Sequence, residues 1–272
     1  MRIPIYQIDA FTKVPFAGNP AAICPLEQWL EDDVMQAIAA ENNLAETTFF
    51  VSEGSSFRLR WFTPTVEVDL CGHATLATAH VILNHLMLVG REVQFETRSG
   101  TLQVWRNGDG LAMNFPATPP EAPMPSMAPL ADVVSAMGAA PQTCLEIREI
   151  HGAPYLLFVF ESEARVAALS PNFSTLRANV IATAPGDDVD FVSRFFAPMS
   201  GINEDPVTGS AHCVLAPYWS KWLDKSALAA RQISARGGDV GCRVEGDRVI
   251  LSGHCAFFME GQIDVPGQVP DT

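Results

Sequence analysis

Alternating apolar and polar residues predict that most of this chain forms β-strands. The stretch SFRLRWFTP, residues 56–64, has the period of two that places one strand face in a core. Turn residues separate several such stretches, at 99–100, at 107–108 and at 245–247. The predicted strands are MRIPIYQIDAF, SFRLRWFTP, EVQFETR, TLQVWRN and GLAMNFP in the first part of the chain, and VDFVSRFFAP, RQISARG, CRVEGDRVILSG and HCAFFMEGQI in the second.

Three segments have a helical pattern instead. The residues from 74 to 89 are apolar on nearly every side, which predicts a helix surrounded by protein. The segment from 209 to 223 is similar, and Pro217 inside it predicts a kink. A shorter amphipathic helix is predicted over residues 31–43. Because the neighbours of the apolar helices are strands, we expect a sheet wrapped around a central helix.

A proline-rich stretch divides the chain into two parts. FPATPPEAPMPSMAPL, residues 115–130, holds six prolines, which remove backbone donors and fix φ. We interpret it as a linker between a domain of residues 1–117 and a domain of residues 118–272, with the C-terminal tail packing back on the first domain. Both parts repeat the order strand, polar loop, small-residue helix and meander. The pattern therefore predicts an α+β fold of two similar domains.

Composition narrows the classes of partner. The chain has 272 residues, of which 48% are hydrophobic and 18% charged, so each part has enough apolar material for a core. The net charge of −14 argues against nucleic acid and anionic membranes as partners. No signal peptide or membrane span is evident, and the six cysteines are scattered without a C-x-x-C pair. We therefore expect a cytoplasmic protein with reduced thiols.

Three polar clusters are candidates for chemistry. They are NNLAETTFF with Glu46, CGHAT with Cys71, Gly72 and His73, and EDPVTGSAH with Asp205, Thr208, Gly209 and Ser210. The second and third clusters begin the predicted buried helices, where free backbone N–H groups favour an anion. If two similar domains face each other, both helix starts point into one cleft that suits a carboxylate.

Each cluster also has a purely structural interpretation. Glu46 fits a solvated strand edge, His73 fits a helix cap, and Asp205 with Thr208 fits a turn and an N-cap. Known motifs do not decide the matter. No ligand set has a recognised metal spacing, Ser210 in VTGSA fails the hydrolase elbow G-x-S-x-G, and RGGDVG fails the dinucleotide motif.

Four stretches together resemble the PhzF-like family of phenazine-biosynthesis proteins and, more distantly, diaminopimelate epimerase and proline racemase. They are IDAFTKVPFAGNPAAI, NLAETTFF, RWFTPTVEVDLCGHATLATAH and GINEDPVTGSAH, in the family's order over most of the chain. The resemblance implies two domains, each a mainly antiparallel sheet curled around a central helix, with an active site in the cleft between them. It also implies a homodimer.

The resemblance further implies the roles of individual residues. Glu46 is expected to be the catalytic acid/base, assisted by His73 and Asp205. The expected substrate contacts are Asn19, Cys71, Gly72, Thr208, Gly209 and Ser210. In the phenazine enzyme of the family, this constellation isomerises a dihydro-hydroxyanthranilate by moving a proton, without metal or organic cofactor. We therefore expect no cofactor here, and a small anionic carboxylate as substrate.

Two departures qualify the resemblance. The late loop has Cys242-Arg243 where the family usually has Arg-Pro after its glycine, which weakens the case for substrate contacts there. Cys71 stands where the epimerases have the first of two catalytic thiols, but we align Pro206 with the second. One thiol cannot run a two-base racemisation, so a carboxylate and an imidazole are the better candidates. An amino-acid epimerase using Cys71 and a non-catalytic small-molecule-binding protein are the alternatives.

Overall fold

The computed structural model describes residues 1–121, 130–150 and 153–265, without the side chains of 148–150 and 153–154. Half of the predicted linker, residues 122–129, lies outside the described residues. Its first two residues, Phe115 and Pro116, belong to a strand. Among the described helices, none combines the length and the apolar content that crossing a bilayer requires.

The chain divides into two compact units. The first consists of Met1–Asn114 and the described residues from Ser252 onwards, and the second is Phe115–Leu251. The sequence predicted a boundary after residue 117, with the rest of the chain in the second domain and its tail packing back. In the structure the last strand is an integral part of the first unit, because it pairs along the whole length of the first strand, from Arg2 opposite Asp264 to Ala10 opposite Cys255.

The first unit contains most of the predicted strands and two of the predicted helices. Its strands are β1 Arg2–Ala10, β2 Asn19–Leu26, β3 Glu46–Glu53, β4 Ser56–Phe62, β5 Glu67–Val68, β6 Glu92–Thr97, β7 Gly100–Asn107, β8 Gly110–Pro116, which runs across the boundary, and β17 Cys255–Asp264. Its helices are α1 Asp32–Asn42 and α2 Gly72–His80, the latter followed by a π-turn at Val81–His85. The numbering of β17 counts the strands of the second unit.

The second unit has the remaining elements. Its helices are α3 Ala131–Met137, α4 Glu163–Ala167 and α5 Gly209–Leu223, with a short 3₁₀ turn at Pro198–Ser200. Its strands are β9 Thr143–Ile150, β10 Ala153–Val159, β11 Asn179–Pro185, β12 Phe191–Ala197, β13 Ile202–Asp205, β14 Ala227–Gln232, β15 Gly238–Glu245 and β16 Arg248–Gly253, which ends across the boundary.

The two units repeat one pattern of strand pairing. In the first, β2 is parallel to β3, β3 is antiparallel to β4, and β4 pairs antiparallel with β5 and parallel with β6. In the second, β10 is parallel to β11, β11 is antiparallel to β12, and β12 pairs antiparallel with β13 and parallel with β14. Helix α2 follows β5 and helix α5 follows β13. The repeated topology supports the duplication inferred from the sequence.

Helix α2 is the buried centre of the first unit. Seven of its nine residues, His73–Ala79, are buried. Alanines let the surrounding strands approach closely, and the buried threonines have partners: Thr75 donates to the Cys71 carbonyl at 2.6 Å, and Thr78 to the Ala74 carbonyl at 2.7 Å. Buried hydroxyls without such partners would destabilise the helix.

Helix α2 ends earlier than the predicted 74–89. The Leu86 N–H bonds to the carbonyl of Val81 at 2.9 Å, five residues back, which makes the π-turn. Met87 then adopts φ of 50° and the helix stops. The apolar residues Met87 and Leu88, counted as helical from their hydrophobicity, are exposed in a loop.

Helix α5 agrees with its predicted bounds and continues through Pro217. Proline has no N–H to bond the carbonyl of Cys213, four residues earlier. That carbonyl instead accepts the N–H of Thr118 at 2.9 Å. The acceptor released by the proline is therefore used by the segment that follows β8, and a continuous helix is retained.

Two other predictions about the late part of the chain need correction. The strand predicted at residues 231–237 lies earlier in the structure, at Ala227–Gln232. Residues 233–237 form a turn before β15. The late loop that the resemblance placed around Cys242-Arg243 is instead part of β15, in agreement with the strand pattern of CRVEGDRVILSG. Cys242 is buried there, and Arg243 forms an ion pair with Glu245 at 2.7 Å. Alanine-rich strands lack the β-branched residues that mark a strand in sequence, which explains the shift.

Candidate active site

The first group of candidate residues is assembled from the starts of three elements in the first unit. Asn19 is the first residue of β2, Glu46 is the first residue of β3, and His73 is the second residue of α2. Strands β2 and β3 are parallel, with Ala21 opposite Glu46, so both strands begin at the same edge of the sheet. The fold therefore brings together residues that are 27 and 54 positions away from Asn19 in sequence.

His73 lies at the centre of this group. Its Nε2 is 3.1 Å from Glu46 Oε2, its Nδ1 is 3.2 Å from Asn19 Nδ2, and Cys71 Sγ is 3.5 Å from the same Nδ1. Asn19 is fully buried, His73 is 4% exposed, and the Glu46 side chain is 17% exposed. Glu46 is thus the member of the group with access to solvent.

The contact between His73 and Glu46 is close but not aligned as a hydrogen bond. Neither His73 Nε2 nor Glu46 Oε2 has a hydrogen-bond partner among the described residues. A buried polar pair in this condition is costly for stability and marks a candidate functional site. Catalytic groups often align only when substrate is bound, so the apo geometry is compatible with proton transfer.

Burial determines the protonation state of the Cys71 thiol. Desolvation is the largest influence and raises the pKa of the thiol to about 11, and the Glu46 charge adds to the rise. The nearby His73 opposes the shift without reversing it. Cys71 is therefore a neutral thiol at physiological pH, and it lacks the thiolate that nucleophilic or basic cysteine chemistry requires.

The pKa of His73 is raised by its neighbours despite its burial. Desolvation lowers this pKa, while the charges of Cys71 and Glu46 raise it by more. Because Cys71 remains a thiol at neutral pH, the Glu46 carboxylate is the charge that acts on the imidazole under those conditions. The pair therefore has the composition of a carboxylate base next to a proton-bearing imidazole.

The three ligand-type side chains Glu46, Cys71 and His73 lie within 4.8 Å of one another. The sequence did not predict this cluster, since only Cys71 and His73 are close in the chain. However, Glu46 approaches the Nε2 edge of the imidazole and Cys71 the Nδ1 edge. A metal bound to either ring nitrogen lies in the ring plane on that one edge. The arrangement therefore fits a proton-transfer group better than one tetrahedral metal centre.

The second group of candidates lies at the start of α5 in the second unit. Asp205 ends β13, Thr208 is the N-cap residue, and Gly209 and Ser210 begin the helix. The Thr208 hydroxyl donates to the Asp205 carboxylate in a short hydrogen bond. Asp205 and Thr208 are buried, whereas Ser210 is exposed. The local interpretation of turn and N-cap therefore describes part of this geometry correctly.

Two residues of this second group were missed by sequence reasoning. Gln232, at the end of β14, donates from Nε2 to the Asp205 carbonyl at 2.7 Å and accepts the Thr208 N–H at 3.0 Å. Tyr155, in β10, is hydrogen-bonded to Ser210, and desolvation followed by the Asp205 charge raises the pKa of its phenol. No local motif marks either residue, because both are defined by contacts with a distant loop.

The helix caps also correct the alignment of the two halves. Cys71 is the N-cap residue of α2 and Thr208 is the N-cap residue of α5, each followed by glycine. Thr208 therefore corresponds to Cys71, whereas the sequence comparison had placed Pro206 there. The conclusion about the thiol is unchanged, because threonine cannot replace the second thiol of a two-base epimerase.

Comparison with known proteins identifies the family. A model described as phenazine biosynthesis-like protein matches residues 8–261. The chain belongs to this family. An uncharacterized isomerase from Pseudomonas aeruginosa is 49% identical over 267 residues, covering 97% of this chain and 99% of that protein. A human phenazine biosynthesis-like domain-containing protein is 37% identical over 296 residues, covering 97% of this chain and 99% of its own.

Solved structures agree with the family assignment and the fold. A PhzF-family phenazine biosynthesis protein from Enterococcus faecalis is 45% identical with a TM-score of 0.91, covering 97% of this chain and all of the other. A hydroxyproline epimerase from Agrobacterium vitis has a TM-score of 0.61 at 10% identity, covering 96% of this chain and 92% of the other. That likeness shows the fold alone. The predicted resemblance and the α+β fold are thus confirmed.

Proposed function

We propose that this protein is a cofactor-independent isomerase that moves a proton between two carbons of a small carboxylate-bearing metabolite. Glu46 is the acid/base, and His73 assists it. The observation that carries the proposal is the 3.1 Å contact between Glu46 Oε2 and His73 Nε2 in a largely buried group. Family membership supports the reaction class, because relatives of this chain are named isomerases.

The proposed reaction needs one base. Glu46 takes a proton from a carbon next to an electron-accepting group, and the electron pair of the broken C–H bond delocalises into the substrate. The protonated Glu46 then returns the proton to a second carbon, so no electron leaves the substrate and no co-reactant is consumed. His73 stabilises the developing charge through its ring proton. A positioned acid/base of this kind contributes on the order of 10²–10⁴ in rate.

The state of the thiol argues against the epimerase alternative. A two-base epimerase needs a pair of cysteines on opposite sides of the reacting carbon, one acting as the thiolate base and the other as the thiol acid, and burial that raises the pKa of Cys71 to about 11 disfavours the thiolate form. The corresponding N-cap in the second half is Thr208. A non-catalytic binding protein remains the third class. The unaligned Glu46–His73 contact favours catalysis, since a site used only for structure has no need for a buried polar pair without hydrogen bonds.

The group around Asp205 belongs to the proposal through family resemblance. Asp205 is proposed to position Thr208, whose hydroxyl hydrogen bond it accepts, and Ser210 is proposed to contact a substrate carboxylate together with the N–H groups that begin α5. The free N–H groups at the start of α5 support an anion there. Gln232 and Tyr155 are proposed to hold this group, as their contacts with the loop suggest. We also propose a homodimer, for which the family resemblance is the only support.

Deuterium incorporation tests the central step. The purified protein is incubated with a metabolite extract in D₂O, and deuterium entering carbon positions of small carboxylates is followed by mass spectrometry and NMR. Wild type is expected to label at least one compound and convert it to an isomer. Glu46→Gln keeps the shape of the side chain and removes the base, so the labelling rate should fall by about 10²–10⁴.

Glu53→Gln is the matched control. Glu53 is the last residue of the same strand, its side chain is 60% exposed, and it contacts only Arg58 at 3.9 Å among the ion pairs of the described residues. This variant should label at the wild-type rate. Labelling by Glu46→Gln within a few-fold of wild type would show that Glu46 is not the base. Labelling with inversion at one carbon, without transfer to another, would instead support an epimerase.

A further inference from the structure

His73 has two chemically different nitrogens, and the residue that faces each one differs. Glu46 approaches Nε2 with a carboxylate oxygen, whereas Asn19 approaches Nδ1 with its amide nitrogen at 3.2 Å. An amide nitrogen can only donate, so Nδ1 must accept when this contact is a hydrogen bond. In a neutral imidazole one nitrogen carries the proton and the other accepts.

We propose that Asn19 is a positioning residue that fixes the tautomer of the neutral His73 ring, with the proton on Nε2, the nitrogen that Glu46 approaches. This changes the expectation that Asn19 contacts substrate. The inference rests on the proposed function only for its catalytic consequence, since the tautomer is a property of the free protein.

The surroundings make Asn19 suitable for this role. Its side chain is fully buried, and its backbone is opposite Ala10 in the pairing of β1 with β2. The preceding Gly18 has φ of 66°, and a Cβ there would lie 2.1 Å from the Ala10 carbonyl oxygen. The chain thus enters β2 through a conformation that only glycine fits, and this entry fixes where the Asn19 amide points.

The other neighbours of the His73 ring do not by themselves determine which ring nitrogen carries the proton. Cys71 Sγ is 3.5 Å from Nδ1, but a neutral thiol can donate or accept weakly. Glu46 favours a proton on Nε2, yet a carboxylate alone also favours the doubly protonated ring. The Asn19 N–H opposes a proton on Nδ1. In the neutral ring, the two residues together therefore select the tautomer that carries its proton on Nε2.

The tautomer of His73 gives His73 and Glu46 different roles in the proposed reaction. With its Nδ1 lone pair occupied by Asn19, His73 cannot serve as a second base from that nitrogen. It acts as a donor, and Glu46 is the single base that takes and returns the proton. Transfer by one base takes place on one face of the substrate.

The test is direct observation of the ring nitrogens. Protein labelled with ¹⁵N-histidine is studied by long-range ¹H–¹⁵N correlation over a pH series, and the signals of His73 are assigned from their loss in His73→Gln. The neutral ring of wild type should show the pattern of a protonated Nε2. A protonated Nδ1 in wild type would overturn the proposal, because it would mean that the Asn19 carbonyl faces the ring.

Two other histidines provide internal references. His212 Nδ1 lies 2.7 Å from the Thr208 carbonyl oxygen, which can only accept, so His212 must carry its proton on Nδ1. His80 Nδ1 lies 2.9 Å from Asn84 Nδ2, so His80 should show the same tautomer as His73. The two reference rings should therefore show one example of each tautomer in the spectrum that contains His73.

Variants separate the influence of Asn19 from that of Glu46. In Glu46→Gln the His73 proton should remain on Nε2, because Asn19 still faces Nδ1. In Glu46→Gln with Asn19→Leu the preference should disappear and a mixture of tautomers should form. A mixture already in Glu46→Gln would mean that Glu46, not Asn19, sets the tautomer, and would overturn the proposal.

Asn19→Asp replaces the hydrogen-bond donor that faces His73 Nδ1 by an acceptor, in a side chain of nearly the same shape. A carboxylate facing Nδ1 should retain a second ring proton and raise the pKa of His73 by about 1–3 units. Asn84→Leu is the matched control, since it removes the same type of contact from His80 and should leave the His73 signals unchanged. An unchanged His73 titration in Asn19→Asp would contradict the assigned contact. None of these measurements depends on turnover. A wrong tautomer assignment can therefore be told apart from a wrong proposed function, which the deuterium labelling of Glu46→Gln tests.

Discussion

Substitution of Gly18 by alanine tests whether the entry to β2 holds the site. At φ of 66° an L-residue costs about 1–2 kcal/mol relative to glycine. The added Cβ would also meet the Ala10 carbonyl oxygen at 2.1 Å and Thr12 Cγ2 at 2.8 Å, so the backbone has to move. Overpacking of this kind costs a further 1–3 kcal/mol, roughly. We expect Gly18→Ala to lose about 2–5 kcal/mol of unfolding free energy.

Gly54→Ala in the turn after β3 is the matched control for that prediction. Gly54 has φ of 64°, nearly the same conformation, but a Cβ there meets no described atom within 4 Å. It should lose only the conformational part, about 1–2 kcal/mol. Both residues belong to the first unit, so urea unfolding followed by the same probe compares them directly.

The displacement of the backbone at Gly18 should also reach the candidate active site. Asn19 follows Gly18, so movement of the backbone changes the contact between the Asn19 amide and His73 Nδ1. The His73 ring signals should therefore shift in Gly18→Ala and stay in place in Gly54→Ala. Equal stability of the two variants, with unchanged His73 signals in both, would refute the argument that this glycine is needed for close packing.

Two further predictions concern buried titratable groups. Desolvation lowers the pKa of His212 from 6.5 to about 4, so as the pH falls through this range the unfolded chain takes up a proton that the folded protein excludes. Wild type should therefore lose about 3 kcal/mol of unfolding free energy over this pH range, and His212→Asn should not. The measurement is the change of the urea midpoint with pH. Equal loss of stability in both proteins on acidification would contradict the prediction. Cys71 should resist alkylation of the native protein at neutral pH, as followed by mass spectrometry, because its thiol stays protonated; rapid modification would favour the epimerase alternative.

Local pattern predicted the elements well where side chains alternate or where glycine marks a turn. The strands around Gly100 and Gly108 and the helix from Gly209 to Leu223 were placed within about a residue of their bounds. The end of α2 was placed too late, because Met87 and Leu88 are apolar but exposed. Hydrophobicity alone does not show where a helix leaves the core.

The site could be predicted only where motifs had already associated distant residues. Glu46 and His73 were candidates from their polar clusters, but their catalytic roles came from the family resemblance, since the local sequence of Glu46 fits a strand edge equally well. The structure brings both residues together through the parallel pairing of β2 and β3 and the burial of α2. Tyr155 and Gln232 had no such motif, and only the tertiary structure shows that they contact the segment around Asp205.

The strand pairing of the first unit has a consequence for the order of folding. Strand β1 pairs with β17, and the paired residues Arg2 and Asp264 are separated by 262 positions. Contacts between residues so far apart slow folding, because a very long loop must close before they form. During synthesis β1 leaves the ribosome early, and the edge that pairs with β17 stays unpaired until β17 has been made.

The second unit, in contrast, is one continuous segment and can complete its sheet while the last strand is still being made. An open edge strand is a template for pairing with another chain. Truncation before Cys255, or a pause late in translation, should therefore leave a first unit that aggregates through β1. The activity proposed for Glu46 and His73 would then appear only after the final strand has been made, even though both residues belong to the first third of the sequence.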